Sequence, residues 1–188
     1  MSEQILSQED RSRLLKLARQ AIQNRLDGGI SEIEIEDQSL VLQTSGASFV
    51  TLRIDDQLRG CIGSLQAYRP LAVDVWENAQ AAAFHDPRFS QLKAAELAHL
   101  KIEISVLSPP QPLPVENEED LLSKIRPGID GLILTSGSRR ATFLPAVWES
   151  LPDPKEFLYH LKLKAGMGPN EWPEDIEFET YGSTSFAE

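Results

Sequence analysis

A single thiol stands between two glycines in the stretch Leu58-Arg-Gly-Cys-Ile-Gly63. Apolar and β-branched residues over Phe49–Ile54 and over Leu58–Leu65 predict two strands. Only residues 55–57 separate them, a connection that suits a hairpin. Glycine weakens an ordinary strand, so Gly60 and Gly63 predict a bulge, or a close approach by another backbone or a ligand.

Helices and a further strand are predicted on both sides of this hairpin. Apolar residues recur at helical spacing in an N-terminal helix within residues 1–29 and in a helix that runs from Pro70 to about Phe84. The acidic, irregular segment Ile30–Ser48 is interpreted as a surface excursion. Apolar and polar residues alternate over Leu100–Leu107, which predicts the clearest strand of the chain.

The second half of the chain begins with the proline-rich connector Ser108–Pro114, which cannot sustain a sheet ladder. Gly131–Thr135 and Arg140–Leu144 predict a second hairpin, and Lys155–Lys164 predicts a helix. Because hairpins require antiparallel pairing, the expected class is α+β, with a mixed, largely antiparallel sheet and flanking helices. We expect one domain over residues 1–188, with a larger lobe and a smaller lobe to which residues 110–150 contribute.

Composition limits the classes of partner. The chain has 18 Lys plus Arg against 29 Asp plus Glu, a formal net charge of -11, and an acidic protein repels nucleic acid phosphates and anionic lipid. The single cysteine excludes an intrachain disulfide and favours a reducing compartment. The N-terminus lacks the pattern of an export signal, and no run of 18 uninterrupted apolar residues occurs. We therefore predict a cytoplasmic protein with neither membrane nor nucleic acid as a partner.

Cys61 is the first candidate for chemistry. A guanidinium beside it, such as that of Arg59, favours the thiolate, which is the nucleophilic form. A free cysteine is also among the most commonly buried residues and then acts as a small hydrophobe. The sequence leaves both interpretations open.

A second candidate region is Phe84-His-Asp-Pro-Arg-Phe89, which places a histidine, a carboxylate and a guanidinium in one helix-ending turn. His85 could serve Cys61 as a base, whereas Asp86 and Arg88 could bind a ligand. Asp before Pro is also common turn chemistry, and an Arg–Phe pair can simply anchor a loop. Glu103 is predicted on the polar face of its strand, where it either lines a cleft or is solvated.

Other sites have little support in the sequence. The three histidines and the carboxylates do not reproduce a compact metal-ligand spacing, so no metal site is predicted. Neither a dinucleotide fingerprint nor a phosphate-binding loop occurs, and no serine lies in a Gly-x-Ser-x-Gly turn. The sequence specifies no cofactor.

The run Leu58–Gly63 resembles the hallmark of the AMMECR domain family, known in prokaryotes as AmmeMemoRadiSam system protein A. Further segments resemble the family in the expected order, and together they cover residues 49–181: Asp86–Phe89, Glu103–Pro109, Asp130–Leu132, Phe143–Pro145, and Lys164–Gly166 followed by Trp172. The resemblance implies an α+β fold with two lobes and with the motif in or beside a cleft. It also implies a setting, because prokaryotic members are grouped with a Memo-like protein and a radical SAM enzyme.

Two positions depart from the family pattern. Cysteine is expected where this chain has Lys162, which argues against a mechanism with two cysteines. Histidine is not required at position 85, which lowers the case for a Cys61–His85 dyad.

Three functions follow. The favoured one is an accessory or small-ligand-binding protein that acts with Memo-like and radical SAM proteins, with a cleft framed by Arg59, Cys61, Asp86, Arg88 and Glu103. The second is a thiol-dependent enzyme with Cys61 as the catalytic residue. The third is a non-catalytic interaction or regulatory domain in which the glycines and Cys61 serve packing.

Overall fold

The computed structural model of the protein describes residues 6–29 and 33–188, and the chain divides into two compact units. The first unit extends to Leu107 and includes Thr184–Glu188, and the second comprises Ser108–Ser183. The elements in chain order are α1 (Gln8–Leu26), α2 (Leu40–Gln43), β1 (Ser45–Ile54), β2 (Gln57–Gly63), β3 (Arg69–Pro70), α3 (Leu71–Phe84), a 3₁₀ helix (Ala94–His99), β4 (Lys101–Leu107), β5 (Gln111–Pro112), α4 (Glu118–Lys124), β6 (Gly131–Ser136), β7 (Arg139–Phe143), a second 3₁₀ helix (Pro145–Glu149), α5 (Pro154–Lys164), β8 (Glu177–Tyr181) and β9 (Ser183–Ala187).

Helix α1 begins with a capping box. The Ser7 hydroxyl accepts a hydrogen bond from the amide of Asp10, whose carboxylate accepts one from the amide of Ser7. This exchange satisfies two donors that every helix start leaves without a partner in the helix. The helix then buries an apolar stripe that includes Leu14, Leu17 and Ile22.

The first unit contains a sheet with the strand order β2-β1-β4-β9, and β3 pairs with the start of β1. Strand β1 pairs antiparallel with both β2 and β4. Side chains alternate between the faces of a sheet, and those of Val50, Leu52, Ile102 and Ile104 are completely buried in one core with helices α1 and α3. The opposite face carries the odd-numbered residues of β1 and β4.

The second unit has its own sheet, with the strand order β5-β8-β6-β7 and antiparallel pairing throughout. Its core is centred on a stacked pair, Trp148 and Phe157, whose ring centroids are 3.8 Å apart. The Trp148 indole also donates to the Asp130 carbonyl at 2.7 Å, which satisfies its only polar atom.

Lys162 is the one lysine among the buried residues of the described chain, with 1% of its surface exposed. Its Nζ donates to Glu118 Oε2 at 2.5 Å and to the Pro169 carbonyl at 3.2 Å, and it lies 5.2 Å from the centroid of the Trp172 ring. A buried ammonium is tolerated only when it is paired, and these three contacts supply the pairing. Lys162, where the family resemblance led us to expect cysteine, therefore joins α4 to α5.

The predicted fold class is confirmed, since helices flank sheets in which β1 pairs antiparallel with β2 and β4, and β6 pairs antiparallel with β7 and β8. The interpretation of Ile30–Ser48 as a surface excursion was wrong in its described part. Helix α2 and the start of β1 lie there, and Leu42 and Ala47 are buried. Residues 1–5 of the predicted N-terminal helix and residues 30–32 lie outside the described residues. In the portion of the chain that is described, no helix has the length and apolar character needed to cross a membrane.

Candidate functional site

The motif lies on β2, the second strand of the predicted hairpin. Asp55 and Asp56 form the turn with positive φ angles of 51° and 61°, a conformation that Asp tolerates better than most residues. Leu52 pairs with Gly60 and Arg53 pairs with Leu58, so that Arg59 is an extra residue in β2. This irregularity is a β-bulge, one of the two features that the glycines predicted.

Both glycines of the motif also permit a close approach. A Cβ at Gly60 would lie 2.1 Å from the carbonyl oxygen of Ala82, so α3 contacts β2 backbone to backbone there. A Cβ at Gly63 would lie 2.3 Å from the ring of Phe49. Packing within the first unit is therefore sufficient to require glycine at both positions, and their role in ligand binding stays a prediction.

Asp86 and Arg88 connect the end of α3 to the middle of β2. The carboxylate of Asp86 is almost fully buried and accepts a hydrogen bond from the Cys61 amide at 2.9 Å. It also accepts the Arg88 amide at 3.1 Å, Arg88 Nε at 3.0 Å and Arg88 Nη2 at 2.8 Å. Arg88 Nη2 donates in addition to the Cys61 carbonyl at 3.2 Å. We call this set of contacts the Cys61 clamp.

The contacts of the Cys61 clamp favour the charged forms of both Asp86 and Arg88. The hydrogen bonds from Arg88 hold the pKa of Asp86 far below its usual range, with help from the Cys61 amide and against the opposing effect of burial. The same contact with Asp86 raises the pKa of Arg88. The pair is therefore fully charged at neutral pH.

The clamp takes the place of a neighbouring strand. Strand β2 is last in the sheet order, so its outer edge pairs with no other described strand of the first unit. If another strand paired there, one of its carbonyls would accept a hydrogen bond from the Cys61 N–H, and one of its N–H groups would donate to the Cys61 carbonyl. Asp86 and Arg88 make those two contacts with side-chain atoms. The turn Asp86–Phe89 thus fixes the position of Cys61 through its backbone.

The Cys61 thiol lies on the sheet face opposite the helices and is partly exposed. Its Sγ is 3.3 Å from Thr51 Oγ1, directly across from it on β1. Thr51 is in turn paired with Glu103 of β4, which lies 3.8 Å from Arg53. A thiol, a hydroxyl and a carboxylate therefore occupy one row across three strands.

The other predicted residues do not reach the thiol. The Arg59 guanidinium donates to both carboxylate oxygens of Glu96, at 2.8 and 3.2 Å. Its hydrogen bonds also keep the pKa of Glu96 below the usual range. His85 is exposed at the end of α3, and no hydrogen bond joins Arg59 or His85 to Sγ within the described chain. The structure brings together Cys61, Asp86 and Arg88, but gives neither Arg59 nor His85 a contact that would activate the thiol.

Sequence reasoning missed a buried polar cluster beneath the hairpin, centred on Asp74 of α3, which is completely buried. Its Oδ2 accepts hydrogen bonds from the Ser48 amide, the Ser48 hydroxyl and Asn78, at 2.8, 2.7 and 2.9 Å. Its Oδ1 accepts from Ser64 at 2.7 Å and Arg69 at 2.9 Å. Two polar residues four positions apart, Asp74 and Asn78, interrupt the apolar stripe of α3, and this interruption was the available signal.

Over residues 6–29 and 33–188, no three or more His, Cys, Asp or Glu side chains come close enough to hold an ion.

The first unit combines a layer of helices with an antiparallel sheet, and Cys61 lies on the outermost strand of that sheet between two glycines. These features define the class of protein: an α+β protein with a single cysteine held on an edge strand.

Comparison with known proteins identifies the family. The AMMECR1 family matches residues 15–186, and the chain belongs to it. A protein of Methanothermobacter thermautotrophicus is 40% identical, over 88% of this chain and 86% of its own length. A protein of Methanopyrus kandleri is 38% identical, over 97% of this chain and 90% of its own. The crystal structure of an uncharacterised protein from Pyrococcus horikoshii has 36% identity and a TM-score of 0.79, and the match covers 94% of this chain and 90% of that one.

Proposed function

We propose that this AMMECR1 protein binds a small ligand beside the motif and acts as an accessory protein with Memo-like and radical SAM proteins. The observation that carries the proposal is the Cys61 clamp. It keeps a mostly exposed arginine, with 55% of its side chain accessible, in a fixed position next to a partly exposed thiol. A preorganised charged group costs little ordering entropy when it binds, which is how binding sites gain affinity.

The partners are proposed from the family resemblance, because prokaryotic members are grouped with these two classes of protein. The net charge of -11 agrees with a protein partner more readily than with nucleic acid. No reaction is assigned to the chain alone.

Binding is tested by sedimentation velocity on mixtures with a Memo-like and a radical SAM protein from one organism. We expect a complex with the native chain and about tenfold weaker association with Arg88→Gln, equivalent to about 1.4 kcal/mol. The control is Arg126→Gln, because Arg126 is also an exposed arginine bonded to a buried aspartate. If no complex forms under either oxidising or reducing conditions, the proposed partners are excluded. If Arg88→Gln and Arg126→Gln associate with the partners equally strongly, the Cys61 clamp is excluded as the binding element.

A thiol-dependent enzyme is the second candidate, favoured by the 3.3 Å contact between Thr51 Oγ1 and Cys61 Sγ. Either atom can donate in this contact, and the enzyme alternative requires the hydroxyl to donate to sulfur, the direction that favours a thiolate. Cys61 is the only cysteine, so alkylation of the native protein reports on it alone. Under this alternative, alkylation is rapid at neutral pH and slows about tenfold in Thr51→Val, while Thr51→Ser keeps the native rate. Slow alkylation that does not change in Thr51→Val would eliminate the enzyme and leave Cys61 as a packing residue.

A further inference from the structure

The hydrogen-bond donors at the outer edge of β2 that have no partner among the described residues indicate the chemistry of the ligand. Thr51 and Cys61 pair across β1 and β2 with the Cys61 N–H and carbonyl directed away from β1, since the clamp receives both. The Ser64 amide donates to the Ser48 carbonyl, so even-numbered residues of this stretch bond to β1. Gly63 has the same parity as Cys61, and its N–H therefore also points outward.

Asp86 offers nothing further to a ligand. A carboxylate has about four lone-pair positions, and four donors occupy them. Oδ1 receives the Arg88 amide and Nε, and Oδ2 receives the Cys61 amide and Arg88 Nη2. The acceptor side of the clamp is thus saturated, and a cation or a hydrogen-bond donor would find no free oxygen on it.

Arg88 retains one free donor group. Its Nε and Nη2 are committed to Asp86 and Cys61, whereas Nη1 has no hydrogen bond within the described part of the chain. The guanidinium carbon also lies 5.5 Å from the centroid of the Phe89 ring, a second constraint on its orientation. A planar, immobilised guanidinium with free N–H groups matches the oxygens of a carboxylate or phosphate.

We infer that the ligand presents an oxyanion, a carboxylate or a phosphate group, to Arg88 Nη1 and the Gly63 amide at the outer edge of β2. This inference rests on the proposed ligand-binding function and names its chemistry. Gly63 follows Cys61 by two residues, about 6.6 Å along a strand. Along the outer edge of β2, the Cys61 carbonyl is followed by the Gly63 N–H, and Arg88 is bonded to that carbonyl. An oxyanion placed there therefore lies between Arg88 Nη1 and the Gly63 N–H. The outward Gly63 carbonyl sets the limit of the site because it would repel an anion placed farther along β2.

The test is a nuclear magnetic resonance titration of the uniformly ¹⁵N-labelled chain with inorganic phosphate and, separately, with sodium acetate. Sodium chloride at matched ionic strength corrects for screening. We expect the Gly63 amide and Arg88 Nε signals to shift along saturable curves with one shared dissociation constant. Arg126 Nε, on an equally clamped and exposed arginine of the second unit, should show only the linear change of a non-specific response. The titrant with the lower dissociation constant shows whether a phosphate or a carboxylate group is the better match to the site.

Arg88→Lys provides the matched variant, because it keeps the positive charge and removes the planar donors. We expect affinity for the better anion to fall about tenfold. The inference would be overturned if the Gly63 and Arg88 signals of the native chain moved no more than the Arg126 signal in both the phosphate and the acetate titrations. This outcome does not depend on whether the Arg88→Lys variant folds. Partner association is measured separately by sedimentation. If the chain binds anions but no partner, only the accessory function is contradicted. If it binds partners but no anion, only the present inference is contradicted.

Discussion

The two units contain the same pair of residues used in different ways. In the first unit Asp86 and Arg88 have side chains that are 2% and 55% exposed, and in the second Asp130 and Arg126 are 5% and 66% exposed. Each carboxylate accepts the amide, Nε and Nη2 of its own arginine. Only Asp86 also holds a distant strand, through the amide of Cys61, 25 residues earlier in the chain.

This difference separates a local turn from a tertiary connection. The contacts between Asp130 and Arg126, which we call the Asp130 clamp, close a loop of five residues that backbone hydrogen bonds to the Arg126 carbonyl already bring together. The Cys61 clamp positions a strand edge and a thiol that no local interaction would fix. The same residue types, Asp and Arg, therefore mark a structural turn in one unit and the candidate site in the other.

The largest effect is expected where the Cys61 clamp depends on close packing. Gly60→Ala would place Cβ 2.1 Å from a backbone oxygen of α3, which cannot move without the helix. We expect the free energy of unfolding, measured by urea denaturation, to fall by about 3 kcal/mol. In the second unit, Gly168→Ala would bring Cβ no nearer than 3.8 Å to the Glu171 side chain, an ordinary contact, so the loss should be at most about 0.5 kcal/mol. Equal losses would mean that β2 and α3 can separate freely.

A smaller effect distinguishes the two carboxylates directly. Asp86→Asn places a buried amide among four donors and leaves the Cys61 N–H with a weaker partner, which should lower the free energy of unfolding by about 2 to 3 kcal/mol. Asp130→Asn should cost about 1 kcal/mol, because exposed Arg126 can turn to water. Hydrogen exchange of the Cys61 amide should accelerate only in the first variant. An equal cost in both variants would remove the distinction between a tertiary and a local clamp.

The smallest effect is a change with pH. The pKa of Asp86 is lowered in the folded state, so its carboxylate stabilises the fold above its unfolded pKa of about 4, and this contribution is lost as pH falls toward the folded value. The difference in unfolding free energy between the native chain and Asp86→Asn should therefore be constant from about pH 7 to 5 and narrow below about pH 4. Urea denaturation at pH 7, 5 and 3 measures it. A difference that stays constant at pH 3 would show that ionic contacts contribute little to the clamp.

The sequence predicted the elements of the site better than its contacts. The motif hairpin and α3 follow from local periodicity, and the bulge follows from two glycines in a strand. Asp86 and Arg88 were recognised as a polar turn, but their bonds to the Cys61 backbone depend on how α3 and β2 pack. The pairing of Arg59 with Glu96, 37 residues later, has the same origin. Long side chains can reach several partners, and only the folded chain selects among them.

The start of β1 and the Asp74 cluster were missed for related reasons. Ser45 and Gly46 fell within the segment interpreted as a surface excursion, yet a Cβ at Gly46 would be 2.9 Å from Leu71, so the glycine admits the start of α3. Ser48 looked like part of a loop, but its backbone and hydroxyl satisfy Asp74. Small polar residues are ambiguous in sequence, because burial with a partner and exposure to water leave the same local pattern.

The clamp at the edge of β2 also bears on solubility. An unpaired strand edge is a template on which another chain can add, and such addition is a common route to aggregation. Recruitment of a second strand requires consecutive free backbone pairs, and Asp86 and Arg88 occupy the pair at Cys61 in the middle of the exposed run. A variant that releases Cys61 would leave the bulge at Arg59 as the remaining interruption of this edge. Light scattering should then detect dimers or larger assemblies of the variant at a lower concentration than for the native chain.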